Sequence, residues 1–182
     1  MSVNPVKVKD LMVPLAEYNT AKGGETLQEM FERLEGELPE GMERPHRDVL
    51  VVNDDGDLIG KVTVHDVIMA MEPSYAKLDD NGHNKALTGS YVKKIYREYD
   101  LWSEPLHDLC QKGAALKVAQ VMHPPSEAEY IQAEEEIDLA LHMFVMGVHQ
   151  PLMVMDGKRI VGVLRLGDVF DHIREVMKTC KL

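Results

Sequence analysis

Gly60-Lys61-Val62-Thr63-Val64-His65-Asp66-Val67 returns 102 residues later as Gly162-Val163-Leu164-Arg165-Leu166-Gly167-Asp168-Val169. In each copy a short apolar run, Leu58-Ile59 or Ile160-Val161, leads through a glycine into a strand. The strand then turns into a helix whose first turn carries an aspartate. Beyond the turn, Val64, Val67, Ile68 and Met71 occupy positions i, i+3, i+4 and i+7, one face of a helix. Leu166, Val169, Phe170 and Ile173 fall on the same four positions of the second copy. Two such corners with the same carboxylate in the same place define an internal repeat, which governs every other reading of the fold.

The repeat extends upstream. Val8-Lys9-Asp10-Leu11-Met12-Val13-Pro14 matches Val118-Ala119-Gln120-Val121-Met122-His123-Pro124. Leu27, Met30, Phe31 and Leu34 match Ile137, Ala140, Leu141 and Phe144, an amphipathic helix face. The copies lie 110 residues apart up to this helix and 102 apart at the corner. The first copy therefore has about eight extra residues, expected within 35–45, where Gly36, Pro39, Gly41 and Pro45 mark a loop. Each copy thus reads as a short helix ending near Met-x-Pro, a strand, an amphipathic helix, a hairpin and a final helix. The hairpins are 49–52 with 58–63, turning at Asn53-Asp54-Asp55-Gly56, and 152–155 with 160–165, turning at Asp156-Gly157-Lys158. A strand joined to its hairpin through a helix makes a right-handed parallel crossover. Neither copy can bury much surface alone, so the two sheets are expected to pack together.

Two β-α-β-β-α units, each with a Met-x-Pro entry and a Gly-x-x-Thr-x-x-Asp-like corner, resemble a tandem pair of cystathionine-β-synthase (CBS) domains, or Bateman module. The resemblance covers about 3–73 and 117–180. Gly60, Thr63 and Asp66 fit the family pattern completely, whereas the second corner has Arg165 where a hydroxyl residue usually stands. The expected fold is α/β (α+β): two CBS repeats packed sheet to sheet, at 1–73 and 117–182, with a helical insertion at 74–116.

The resemblance implies a stand-alone sensory module with no catalytic domain, binding an adenosine-containing ligand between the repeats. That ligand would be AMP, ADP, ATP or S-adenosylmethionine, acting as a regulator rather than a required cofactor. Asp66 and Asp168 become ribose contacts, Thr63 a hydroxyl contact and Arg165 a phosphate clamp. Arg47 and His149, with His46, stand before the hairpin strands, where relatives often place basic phosphate contacts. Lys61 is a further cation expected near the mouth. The chemistry is sound: amides at a helix N-terminus suit a phosphate, and an ionised carboxylate can accept from neighbouring hydroxyls. Thr63-x-x-Asp66 is equally the signature of a capping box, as is Thr26-x-x-Glu29. The alternative function is therefore a ligand-free interaction and dimerisation module whose aspartates are only caps. Relatives pair through the helices after the corners, so a two-fold homodimer is expected, with the apolar stripe continuing through Val176 and Met177.

The insertion carries Trp102, the only tryptophan, and four of the six tyrosines, Tyr75, Tyr91, Tyr96 and Tyr99. Asp79-Asp80-Asn81-Gly82 reads as a turn, and Tyr91, Val92, Ile95, Tyr96 and Tyr99 as a helix face. Ser103 is expected to cap a second helix through Leu106, Leu109 and Cys110. The stretch is either a cover for the module or a docking surface for a protein partner, since aromatic residues are enriched at interfaces.

Composition limits the rest. The chain has 182 residues, 45% hydrophobic and 28% charged, with a net charge of −11. That charge argues against a nucleic-acid partner. The longest uncharged run, 139–155, contains His142, Gly147, His149, Gln150 and Pro151, so no membrane span is expected. Two cysteines, Cys110 and Cys180, make neither a disulfide framework nor a metal knuckle. His107-Asp108-x-Cys110 diverges on a helix. With no signal-peptide core, nucleophile–base pair, phosphate loop or zinc motif, a cytoplasmic non-enzyme is expected.

Overall fold

The computed structural model describes residues 5–36, 48–78, 88–148 and 150–179. The turn read at 79–82 and most of the loop at 35–45 lie outside them. The first repeat comprises α1 (Val8–Leu11), β1 (Val13–Pro14), β2 (Thr20–Lys22), α2 (Leu27–Gly36), β3 (Val49–Val52), β4 (Leu58–Val62) and α3 (Val64–Met71). The insertion carries α4 (Gly89–Glu98) and α5 (Leu106–Ala114). The second repeat comprises α6 (Val118–Val121), β5 (Tyr130–Gln132), α7 (Ile137–Val145), β6 (Leu152–Asp156), β7 (Arg159–Leu164) and α8 (Leu166–Thr179).

Both crossovers form as the repeat requires. β2 lies parallel to β3 through α2, and β5 parallel to β6 through α7, each pair continued by an antiparallel hairpin. Val51 stands opposite Gly60 and Val154 opposite Gly162, so the repeat spacing is 103 at β3 and β6. One of the extra residues of the first copy therefore lies in its hairpin turn, not in the loop before it.

The entry helix that opens each copy in sequence lies against the other copy in space. Val8 and Lys9 donate backbone hydrogen bonds to Glu135 and Ala133, at 3.0 Å each, and Val118 and Ala119 donate to Glu25 and Gly23 at 2.8 and 3.0 Å. Val8 is accordingly buried among Ile131, Leu152 and Val154, and Val118 among Leu27, Met30 and Val51. β1 pairs with β7, putting it in the sheet of the second repeat, while Lys61 and His123 make the matching bridge on the first. This crossing explains both corner glycines. A Cβ on Gly60 would lie 3.1 Å from the His123 carbonyl oxygen, and one on Gly162 would overlap the Val13 carbonyl. Between the sheets Tyr18, Leu50, Met153 and Val163 form a third apolar cluster.

The insertion is fastened to the first repeat. Gly113 of α5 closes on Met71 at the end of α3. Glu72, buried there, accepts the backbone N–H of Trp102 at 2.6 Å and that of Ser74 at 3.0 Å. The Trp102 indole N–H donates to the Tyr75 hydroxyl at 3.1 Å, with the rings edge to face. α4 is capped by Thr88, whose hydroxyl accepts from Tyr91 at 3.2 Å. α5 starts after Pro105 rather than after Ser103: the proline ring disfavours the helical conformation for Glu104 before it, so the helix begins only beyond the proline. No helix among the described residues is long and apolar enough to cross a membrane.

Candidate functional site

Both corners carry their aspartate in the first helical turn, but the two carboxylates have different neighbours. Thr63 caps α3, and its backbone N–H and hydroxyl both donate to Asp66 Oδ2, at 2.7 and 2.6 Å. The Asp66 amide returns a bond to the Thr63 hydroxyl at 3.3 Å, completing the capping box. The other carboxylate oxygen, Asp66 Oδ1, stands 3.0 Å from Nδ1 of His123, on the entry strand of the second repeat. Asp48, half-buried, stands just before β3 and near the start of α3. Burial pushes that carboxyl above its ordinary range, nearby Lys61 and the Val64 amide pull it down, and Asp66 pushes it up.

At the second corner the guanidinium of Arg165 holds Asp168 through two bonds, Nε to Oδ2 at 2.6 Å and Nη2 to Oδ1. The first amide of α8, on Leu166, donates to the neutral side-chain oxygen of Gln150 at 3.3 Å. The position equivalent to His123 is Val13, paired with Val163 in β7. Tyr18 links the two corners. Burial raises its phenol, Asp48 and Asp168 adding to the rise and Arg165 opposing it.

Lys61 is not at the mouth. Its side chain is fully buried, with the ammonium 2.6 Å from Glu129 Oε2 and donating to the Gln150 carbonyl at 3.1 Å. Ser126 donates to the other oxygen of Glu129 at 3.2 Å. A lysine can lie there because the opposite repeat supplies both a carboxylate and a carbonyl oxygen to its ammonium. Arg47, His149 and His46 lie outside the described residues. Thr63, Asp66, Arg165 and Asp168 fall at the two strand-to-helix corners, while His123, Asp48, Gln150, Tyr18 and Glu129 were not singled out by sequence. His123 had one usable signal: it fills the x of the second Met-x-Pro, opposite the corner of the other repeat. Glu134 serves the repeat junction: Lys7 and Lys9, at the start of α1, hold it and lower its carboxyl to about 2. Among the described residues no three metal-ligating side chains converge.

Residues 8–73 match the family model of the CBS domain. The fold is similar to that of the CBS-pair protein CBSX2 from Arabidopsis thaliana, with a TM-score of 0.58 at 17% identity, covering 97% of this chain and 100% of that one. A structure of CBSX2 in complex with AMP gives 0.56 at 18% identity, covering 94% and 98%. The cytosolic domain of the Mg2+ channel MgtE in complex with ATP gives 0.53 at 19%, covering 91% of this chain and 48% of that one. No match was found among curated proteins. Over its length the chain has the fold of the CBS-pair proteins, and its first repeat is the part that the CBS-domain model matches.

Proposed function

We propose that this protein is a non-catalytic regulatory module that binds an adenine nucleotide in the cleft between its repeats. The division into repeats at 1–73 and 117–182 with an insertion at 74–116 is part of this reading. The observation that carries it is the Arg165–Asp168 pair at the start of α8, partly exposed and facing Tyr18 of the other repeat. A carboxylate there can accept ribose hydroxyls, and a guanidinium beside it favours phosphate. Thr63 and Asp66 make the other corner of the cleft, and Arg47 and His149 belong to the proposal as phosphate contacts. Support comes from the shared fold of proteins solved with AMP and with ATP. Occupancy would pass to a partner through the insertion, whose Trp102 is fastened to the end of α3, or through a second copy. For the second copy the relevant surface is the exposed stripe of Val64, Ile68, Leu166, Phe170 and Met177.

The competing reading, an empty interaction module, draws on the completed capping box at Asp66. A thermal-shift panel separates them. At roughly 100 times Kd a nucleotide stabilises the fold by about 2.7 kcal/mol, a rise of several degrees for a chain of this size. AMP, ADP or ATP should produce that rise, and guanosine or pyrimidine nucleotides less. S-adenosylmethionine, which lacks phosphate, tests the need for Arg165. A transition that no adenosine compound moves would leave the interaction module standing.

A further inference from the structure

The two corners share one backbone plan, yet the groups a nucleotide would need are differently engaged. At the α3 corner the chain has already filled them. Asp66 Oδ2 takes both donors of Thr63, and Oδ1 takes the imidazole of His123. The Asp48 carboxylate lies near enough to bear on Asp66, so an arriving phosphate meets two negative charges. The imidazole is not on a loose loop. His123 exchanges two backbone hydrogen bonds with Lys61, at 2.9 and 3.0 Å, and Lys61 is itself locked to Glu129. Met122 and the His123 carbonyl close over Gly60, where even a Cβ would crowd them. At the α8 corner the entry strand brings Val13, which has no polar side-chain atom. There the first amide is held by a neutral oxygen of Gln150, and the carboxylate is partnered by a cation.

We infer that His123 and Asp48 act as built-in occupants of the α3 corner, making the α8 corner the single nucleotide cleft of each chain. This rests on the proposed nucleotide binding and adds which corner does it, and why. His123 and Asp48 are then specificity-determining residues: they close the α3 corner with an imidazole on the Asp66 carboxylate and a second negative charge beside it.

Calorimetric titration of ATP tests this on the full chain. Wild type should bind one ATP per chain. The variant carrying His123→Val and Asp48→Asn, which copies the apolar and neutral character of the α8 corner, should bind a second. Two sites in wild type, or one site in both proteins, would overturn the inference while leaving nucleotide binding intact. If wild type binds none and the double variant binds one, the closed corner is supported and the nucleotide reading of the natural protein falls. If neither protein binds, both fall. A second measurement does not depend on variants folding. In wild type the His123 ring resonances should stay in place under saturating ATP, whereas Asp66→Asn moves them. A ligand-induced shift as large as that of Asp66→Asn would also overturn it.

Discussion

The corner at Asp66 and the corner at Asp168 follow the same strand-to-helix path, yet one is knitted into the fold and the other is built as an ion pair. Asp66 completes a capping box and reaches a histidine from the opposite repeat, so its carboxylate works for the fold. Asp168 is held by the guanidinium of Arg165, three residues before it, and the first amide of its helix by the neutral side chain of Gln150. The same asymmetry runs through the interior. Lys61 and Glu129 form a buried ion pair between the repeats, while Val163 and Asn19 occupy the equivalent positions on the other side. Duplication preserved the backbone plan, and the residues facing across the duplicated interface diverged. A repeated motif therefore locates two corners without making two equal sites.

The largest effect is expected at the ion pair. Glu129→Ala leaves the Lys61 ammonium buried without its carboxylate, a loss of about 3–5 kcal/mol, or on the order of 10 °C in Tm for a chain of this length. Replacing both residues with those of the other side, Lys61→Val with Glu129→Asn, should recover most of that loss. Thermal unfolding of the two variants checks the comparison; equal losses would mean the two sides of the interface are not interchangeable.

The latch on the insertion comes next. Glu72→Ala strands the buried Trp102 amide, costing about 1–3 kcal/mol, and should shift the emission of the only tryptophan. The bond from the Trp102 amide holds the Glu72 carboxyl below its ordinary value, with Ser74 adding to the effect against burial. Its contribution is therefore present above the ordinary carboxylate pKa and is lost as pH falls below it. Unfolding followed by Trp102 fluorescence from pH 7 down to pH 3 should show that loss in wild type and not in the variant.

The smallest effects set the corners against each other as structural parts. Thr63→Ala removes a helix cap and should cost about 1 kcal/mol. Arg165→Ala removes a partly exposed pair and should cost less, between about 0 and 1 kcal/mol. Chemical denaturation resolves the two if their order is as stated; the reverse order would contradict the division of roles.

Much of this fold was legible because it is local and repeated. The hairpins, the crossovers and the apolar faces of α2, α3, α7 and α8 all follow from spacings within one copy. What stayed hidden lies between copies. Nothing near Val8 or Val118 in the chain says that each is buried in the other repeat. Lys61 reads as a surface cation until Glu129 is brought to it across the interface. His123 reaches Asp66 over 57 residues of sequence, so no motif window contains both. A local reading that failed was at Ser103: Pro105 keeps Glu104 out of the helical region, so α5 begins two residues later than a Ser103 cap would place it.

The division of labour between the corners is tested most directly by titrating ATP into wild type, Asp66→Ala and Asp168→Ala. Asp168→Ala removes charge-assisted bonds worth on the order of 1.5–3 kcal/mol, so affinity should fall at least ~10-fold. In Asp66→Ala the larger change should be in Tm, through the broken capping box, with affinity falling less than in Asp168→Ala. Loss of binding in Asp66→Ala together with wild-type affinity in Asp168→Ala would contradict the account.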